Sequence, residues 1–191
     1  MGSEMCIRDR DICIIRNVNA DAVIAVYPFT PQPIITQAVM LAADIPVFAG
    51  VGGGLTSGNR VLNLAHYAEM QGATGVVVNA PTSNDIIQKV SNQIDIPLIV
   101  TVVNDNVDFK ERIDAGTTIF NVSAAKDTAN VVRKIRREFP DFPIIATGGP
   151  TDDSILETID AGANAITWTP PSNGEVFKDI MEAYRQGKPH P

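Results

Sequence analysis

Short, uninterrupted apolar runs rich in Val and Ile alternate along this chain with longer stretches whose apolar residues recur every three or four positions. The runs form two sets. In the first, a small residue leads into the run and a polar residue closes it: Ala20-Asp-Ala-Val-Ile-Ala-Val-Tyr-Pro28, Gly72-Ala-Thr-Gly-Val-Val-Val-Asn-Ala80, Gly116-Thr-Thr-Ile-Phe-Asn-Val-Ser-Ala124 and Gly162-Ala-Asn-Ala-Ile-Thr-Trp-Thr-Pro170. The second set opens on an apolar residue followed by Pro: Ile45-Pro-Val-Phe-Ala-Gly-Val-Gly52, Ile96-Pro-Leu-Ile-Val-Thr-Val-Val103 and Phe142-Pro-Ile-Ile-Ala-Thr-Gly-Gly149. Continuous apolar runs of this length suit strands buried on both faces of a parallel sheet. Between them, 34–41, 61–70, 86–90, 129–139, 155–159 and 176–184 carry the spacing of amphipathic helices.

The two sets alternate in units of roughly 45 to 52 residues. Strand alternating with helix means βαβ units, and a two-strand period repeated around a closed sheet is the quarter-turn of an eight-stranded (β/α)₈ TIM barrel. There are four runs of the first kind and three of the second. The missing partner is expected roughly 20 to 27 residues before Ala20, at or before Met1. The sequence therefore predicts a TIM barrel, N-terminally truncated so that seven barrel strands remain, with Asp11 to Arg16 as the remnant of the first helix or a misplaced extended piece. Such a sheet has open edges at Asp21 and Ala165, which invite pairing with another chain. A native seven-strand or flavodoxin-like sheet is the alternative. The stretch Ser3-Glu-Met-Cys-Ile-Arg-Asp-Arg10 resembles translated sequencing-adapter read-through. The expected organisation is a non-native or disordered segment 1–10, a single barrel domain 11–187 and a tail 188–191.

Composition narrows the function classes. A net charge of −7 argues against a nucleic-acid partner, whose phosphates need clustered Lys and Arg. Two cysteines, Cys6 and Cys13, exclude a disulfide scaffold, and no Cys/His cluster has metal-ligand spacing. The longest apolar runs are far below the roughly 20 residues that span a bilayer. The expectation is a cytoplasmic protein with no membrane partner, no metal and a homo-oligomer as a further option.

Barrel chemistry sits at the C-terminal ends of the strands, and period-two alternation decides which side chains reach it. Aligning the first set places Tyr27, Asn79, Ser123 and Thr169 at one position, with Ala25, Val77, Asn121 and Thr167 one layer below. Outward neighbours such as Phe120 and Trp168 should pack on helices. With Thr101, these polar residues predict an uncharged, substrate-orienting mouth. The second set ends in glycine: Gly52, Gly53 and Gly54 in one turn, Gly148 and Gly149 in another. Glycine lets backbone approach a ligand and frees N–H groups for an anion. Helix starts follow at Thr151-Asp-Asp-Ser154 and at Ser172-Asn-Gly-Glu175, the latter a capping-box pattern. Gly52, Gly53, Gly54, Gly148, Gly149, Ser172, Asn173 and Gly174 are the phosphate-binding candidates.

The segment Ile144-Ile-Ala-Thr-Gly-Gly-Pro-Thr151, continuing to Ile166, resembles the last two units of phosphate-binding barrels such as thiamine-phosphate synthase, indole-glycerol-phosphate synthase and the flavin-mononucleotide enzymes. The resemblance implies phosphate contacts from Gly148, Gly149 and the loop from Thr169 to Gly174. Two features depart from it: the last strand exits into Thr169-Pro-Pro-Ser172, and Glu175 puts negative charge in the first helical turn. The whole chain is also similar to a bacterial barrel family loosely labelled as hydrolases, although no Ser/His/Asp constellation is visible.

Asp105, directly after a strand, is the acid–base candidate, against a reading as a solvated turn or helix N-cap. Lys126 lies beyond the strand on which class I aldolases carry their Schiff-base lysine, whereas the in-strand positions hold Asn121 and Ser123. For Lys126, anion binding outranks a Schiff base and a solvated helix end outranks both; Arg60 is a similar candidate for carboxylate or phosphate. His66, mid-helix, reads as structural. These residues point to an enzyme acting on a small anionic, phosphorylated metabolite. A flavin-mononucleotide oxidoreductase and a non-catalytic metabolite-binding barrel are the alternatives. The cofactor is open, with FMN not favoured.

Overall fold

The computed structural model describes residues 9–26, 29–169 and 173–188. Helix α1 (Asp9–Asn17) leads into β1 (Val23–Ala25), and helix and strand then alternate: α2 (Pro33–Ala42), β2 (Val47–Gly52), α3 (Asn59–Met70), β3 (Gly75–Val78), α4 (Asn84–Ser91), β4 (Leu98–Val102), α5 (Phe109–Asp114), β5 (Ile119–Val122), α6 (Thr128–Glu138), β6 (Ile144–Thr147), α7 (Asp152–Asp160), β7 (Ala165–Thr167) and α8 (Asn173–Arg185). The seven strands form one sheet in strict chain order, each neighbouring pair parallel. The architecture is that of a (β/α) TIM barrel with seven strands.

The small residues that open the first repeat set have a local cause. Gly72, Gly116 and Gly162 follow α3, α5 and α7 at φ values of 91°, 109° and 104°, the left-handed turn that ends a helix. Helix α2 starts with a proline at its N-terminal position, where the lost N–H has no intrahelical partner to give up. Helix α5 was not anticipated from the sequence. It is only six residues long, with Asp108 capping it by accepting from the Glu111 N–H at 2.9 Å.

The core lies between the sheet and the helices. Val76, Val78, Leu98 and Val100 pack outward with Val61 and Ala65 of α3 and Ile87 and Val90 of α4. Val102, Phe120, Val122, Ile144 and Ala146 pack with Phe109 of α5 and Val131, Val132 and Ile135 of α6. Phe120 is fully buried, its ring 5.7 Å from Phe109 edge-on and 4.8 Å from Phe142. Two orientation expectations need correction. Ala25 packs outward with Val39 and Val47, so Val26, directly after β1, is the residue turned into the mouth. Trp168, expected to pack on a helix, is 60% exposed.

At the foot of the barrel Arg136 joins three segments. Its guanidinium donates to the carbonyls of Phe142 (3.0 Å) and Gly162 (2.6 Å), to that of Pro140, and to Asn164 Oδ1 (2.8 Å), which also accepts from the Ile144 N–H. One planar group with five donors thus satisfies the entries to β6 and β7 together.

Sheet and helix layers differ in closure. Helix α1 packs on α2 and on α8, so the helix layer brings the two ends of the chain into contact. Among the described residues no pairing joins β7 to β1. Residues Asp11 to Arg16 are helical, as one of the two sequence readings had it. On β1 and β7 only Ala25 is buried, and Ala165 is exposed, whereas β2 and β3 are buried almost throughout.

Candidate functional site at the barrel mouth

The inner face of the sheet is uncharged by sequence. None of the seven strands contains Asp, Glu, Lys, Arg or His. Ionisable groups can reach the mouth only from the loops.

A cavity of about 200 Å³ opens at the C-terminal ends of β1, β2 and β3, lined by Val26, Phe29, Pro31, Gly50, Gly52, Gly54, Leu55, Thr56, Val77 and Asn79. Its wall is the turn after β2. Gly53 donates from its N–H to the Thr56 carbonyl at 2.7 Å, and the Asn79 N–H donates to the Gly52 carbonyl at 2.8 Å, so the β2 and β3 exits are stitched together. Gly53 has φ +96°, and a Cβ there would lie 1.8 Å from Thr82 Oγ1 and 3.0 Å from the Asn79 nitrogen. No side chain fits. Among the described residues the N–H groups of Gly54 and Leu55 donate to no backbone carbonyl, and Asn79 Nδ2 lies 3.5 Å from where a Gly54 side chain would begin. Buried Thr56 is fixed by its hydroxyl donating to Thr30 Oγ1 at 2.7 Å.

The loop that carries Asn79 is held from behind. Arg112 of α5 donates to the carbonyls of Thr82 and, at 3.3 Å, Ala80, while the Thr82 hydroxyl donates to the Asn79 carbonyl at 2.8 Å. Burial lowers the Arg112 pKa from the ordinary arginine value, with Glu111 opposing. Arg112→Met should destabilise the protein by about 2 kcal/mol, the loss of hydrogen bonds to a charged donor. It should also speed amide exchange at Asn79. Unchanged Asn79 exchange in the variant would show that Arg112 does not position this loop.

The other expected residues distribute as follows. Asn79 and Ser123 directly follow β3 and β5, and Thr169 lies two residues beyond β7; all three sit at strand exits. Thr101 and Asn121 are paired across β4 and β5, with Asn121 Nδ2 donating to Thr101 Oγ1 at 3.3 Å. Thr167 lies 3.4 Å from Thr147, a neighbour the sequence reading passed over. Tyr27 and Ser172 lie outside the described residues, and Asn173 and Gly174 begin α8.

Asp105 turns away from the mouth: Lys134 of α6 donates to its carbonyl at 2.8 Å and stands 3.5 Å from its carboxylate. The N-cap in this loop is Asp108 instead. Lys126 is exposed in the single 3-10 turn Ala125–Asp127, past the end of β5. Arg60 is exposed in the first turn of α3. His66 lies beside Glu69 at 3.8 Å on the same helix, and Glu69 accepts the Asp95 and Ile96 N–H groups, a structural role. The second glycine turn has a packing explanation. A side chain at Gly148 would strike Ile155 and Ile166, and Gly149 sits against Ser154 of the α7 capping box. Asp152 and Asp153 in that first turn set negative charge where a phosphate would approach. Among the described residues no group of three metal-ligating side chains occurs, and no helix is long and apolar enough to cross a membrane.

No family model matches the chain. The curated 4-hydroxy-tetrahydrodipicolinate synthase of Gluconacetobacter diazotrophicus is 28% identical, over 78% of this chain and 54% of that enzyme. The chain thus spans about half the length of this relative. Among solved structures, dihydrodipicolinate synthase from Aquifex aeolicus superposes with a TM-score of 0.65 at 18% identity, covering 92% of this chain and 68% of that one. The fold is that of a TIM barrel. A 2,3-dimethylmalate lyase gives the same TM-score of 0.65 at 13% identity, over 90% of this chain and 77% of that one. The expected likeness to barrels is therefore correct at the level of architecture. The neighbours are aldolase-type enzymes, not the thiamine-phosphate or indole-glycerol-phosphate type, and none of the three is named a hydrolase.

Proposed function

We propose that the chain forms the substrate-binding wall of a small-molecule lyase of aldolase type, with an anionic oxo-metabolite seated over β1, β2 and β3. The observation that carries this reading is the cavity at the C-terminal mouth, bounded by Gly52, Gly54, Thr56 and Asn79. Barrels of this kind conduct their chemistry at that end. The N–H groups of Gly54 and Leu55 and the Asn79 amide supply donors to an oxyanion, an arrangement that works without a cationic side chain. Ser123, Thr167 and Thr169 orient the remainder of the molecule from β5 and β7. Carbon–carbon bond chemistry is favoured by the named relative and neighbours, a synthase and a lyase among them.

Titration with pyruvate and, separately, orthophosphate tests the reading. Pyruvate should move the Asn79 side-chain amide and the Gly54 N–H in heteronuclear NMR spectra, and Asn79→Leu should weaken it about tenfold. If neither anion perturbs these two residues, the anion site is not there. One observation favours a second reading, a metabolite-binding barrel without turnover: no strand carries an ionisable residue for proton transfer. Binding of pyruvate with no product formed across oxo-acid acceptors would select it.

A further inference from the structure

A second polar cluster lines the inner wall from β4 to β7, away from the cavity over β1 to β3. Asn121 Nδ2 donates to Thr101 Oγ1 at 3.3 Å, so the Thr101 oxygen is already an acceptor and its own proton remains to be donated. Thr167 Oγ1 lies 3.4 Å from Thr147 Oγ1 and 3.5 Å from the Ala146 carbonyl. With Thr167 as donor, the Thr147 proton is likewise unspent. Asn121 Oδ1 is enclosed and has no hydrogen-bond partner. A native interior rarely keeps such an acceptor without a use for it.

These side chains are reached from inside the barrel. Thr101, Asn121 and Thr147 are each partly accessible, whereas their outward neighbours Val100, Phe120 and Ala146 are fully buried under helices. Thr101 and Asn121 pair directly across β4 and β5, whereas Thr147 on β6 stands two residues beyond Ile145, the partner of Asn121, and so one inward layer, about 7 Å, nearer the mouth. A carboxylate or phosphate placed here would meet neither a cationic side chain nor free backbone N–H groups like those of Gly54 and Leu55, because the strand N–H groups are spent in the ladder. A neutral molecule bearing carbonyl and hydroxyl groups meets donors and acceptor alike.

We infer that Thr101, Asn121 and Thr147 form a charge-neutral subsite for the hydroxy-carbonyl end of a small metabolite, a hydroxyketone or hydroxyaldehyde in chemical class. The subsite rests on the reading above: it takes the uncharged part of the molecule whose anionic part sits at Gly54 and Asn79. The last torsion of Asn121 is broad, so a modest turn of the amide exposes Oδ1 to a ligand hydroxyl while Nδ2 stays within reach of Thr101.

The test uses the full chain and dihydroxyacetone, a neutral hydroxyketone. Saturable shifts are expected at the Asn121 side-chain amide and at the Thr101 and Thr147 methyl groups. Thr101→Val and Thr147→Val keep side-chain volume and remove one donor each. Each should weaken dihydroxyacetone about fivefold, the worth of one neutral hydrogen bond, and both should leave the pyruvate shift at Asn79 intact as proof of a native fold. The subsite is overturned if dihydroxyacetone shifts nothing, shifts Asn79 alone, or binds both variants as tightly as the wild type. Dihydroxyacetone bound at Asn121 in a protein that ignores pyruvate would uphold the subsite and remove the anion site.

Discussion

Gly53→Ala is expected to lower stability by about 3 kcal/mol and to abolish the pyruvate response at Asn79. Two costs add. The residue sits at φ +96°, a region where a Cβ costs about 1–2 kcal/mol. The new methyl would also meet Thr82 Oγ1 at 1.8 Å, forcing Thr82 to release the Asn79 carbonyl, a hydrogen bond worth about 1 kcal/mol. For a domain of this size that total corresponds to a melting point lower by about 6–12 °C. Urea unfolding with an unchanged slope would measure it. A variant within about 0.5 kcal/mol of the wild type would mean that the turn relaxes freely, and the rigid wall proposed for the cavity would go with it.

The second large effect lies on the other side of the sheet. Phe120→Ala should cost about 4 kcal/mol, because the removed ring leaves a cavity between Phe109 and Phe142. Phe120→Leu should recover most of that loss. Adjacent Asn121 faces inward, so Asn121→Leu should alter binding with a far smaller stability change. A Phe120→Ala variant as stable as the wild type would refute the assignment of outward and inward faces on β5.

Much of this fold was legible in the chain. All seven strands and the helices α2, α3, α4, α6, α7 and α8 follow from two alternating patterns, because each βα unit buries the same kind of face, whereas α1 was left open between helix and extended chain. Helix α5 escaped notice because Phe109 and Ile113 are its only large apolar residues, too few to establish a period. The inward face of β1 was misread by one residue, since a three-residue strand holding Val23, Ile24 and Ala25 gives no polar marker of side. At the site, Gly52, Gly54 and Asn79 were readable from strand exits. Thr147 was not, for it stands directly before Gly148 and Gly149 and was absorbed into their turn. Thr56 and Arg112 were invisible because their partners, Thr30 and the Ala80 and Thr82 carbonyls, are tertiary neighbours far off in sequence. Asp105 looked catalytic by position, but Lys134, 29 residues away, draws it to the outside.

Strand order identical to chain order has a consequence for how this molecule tolerates loss. Every rung of the ladder connects consecutive units, so detaching a unit at either end breaks a single row of backbone bonds and leaves all interior rows intact. In the sheet layer the rim strands are each held by one row alone, while the packing of α1 on α8 is what ties the two ends together.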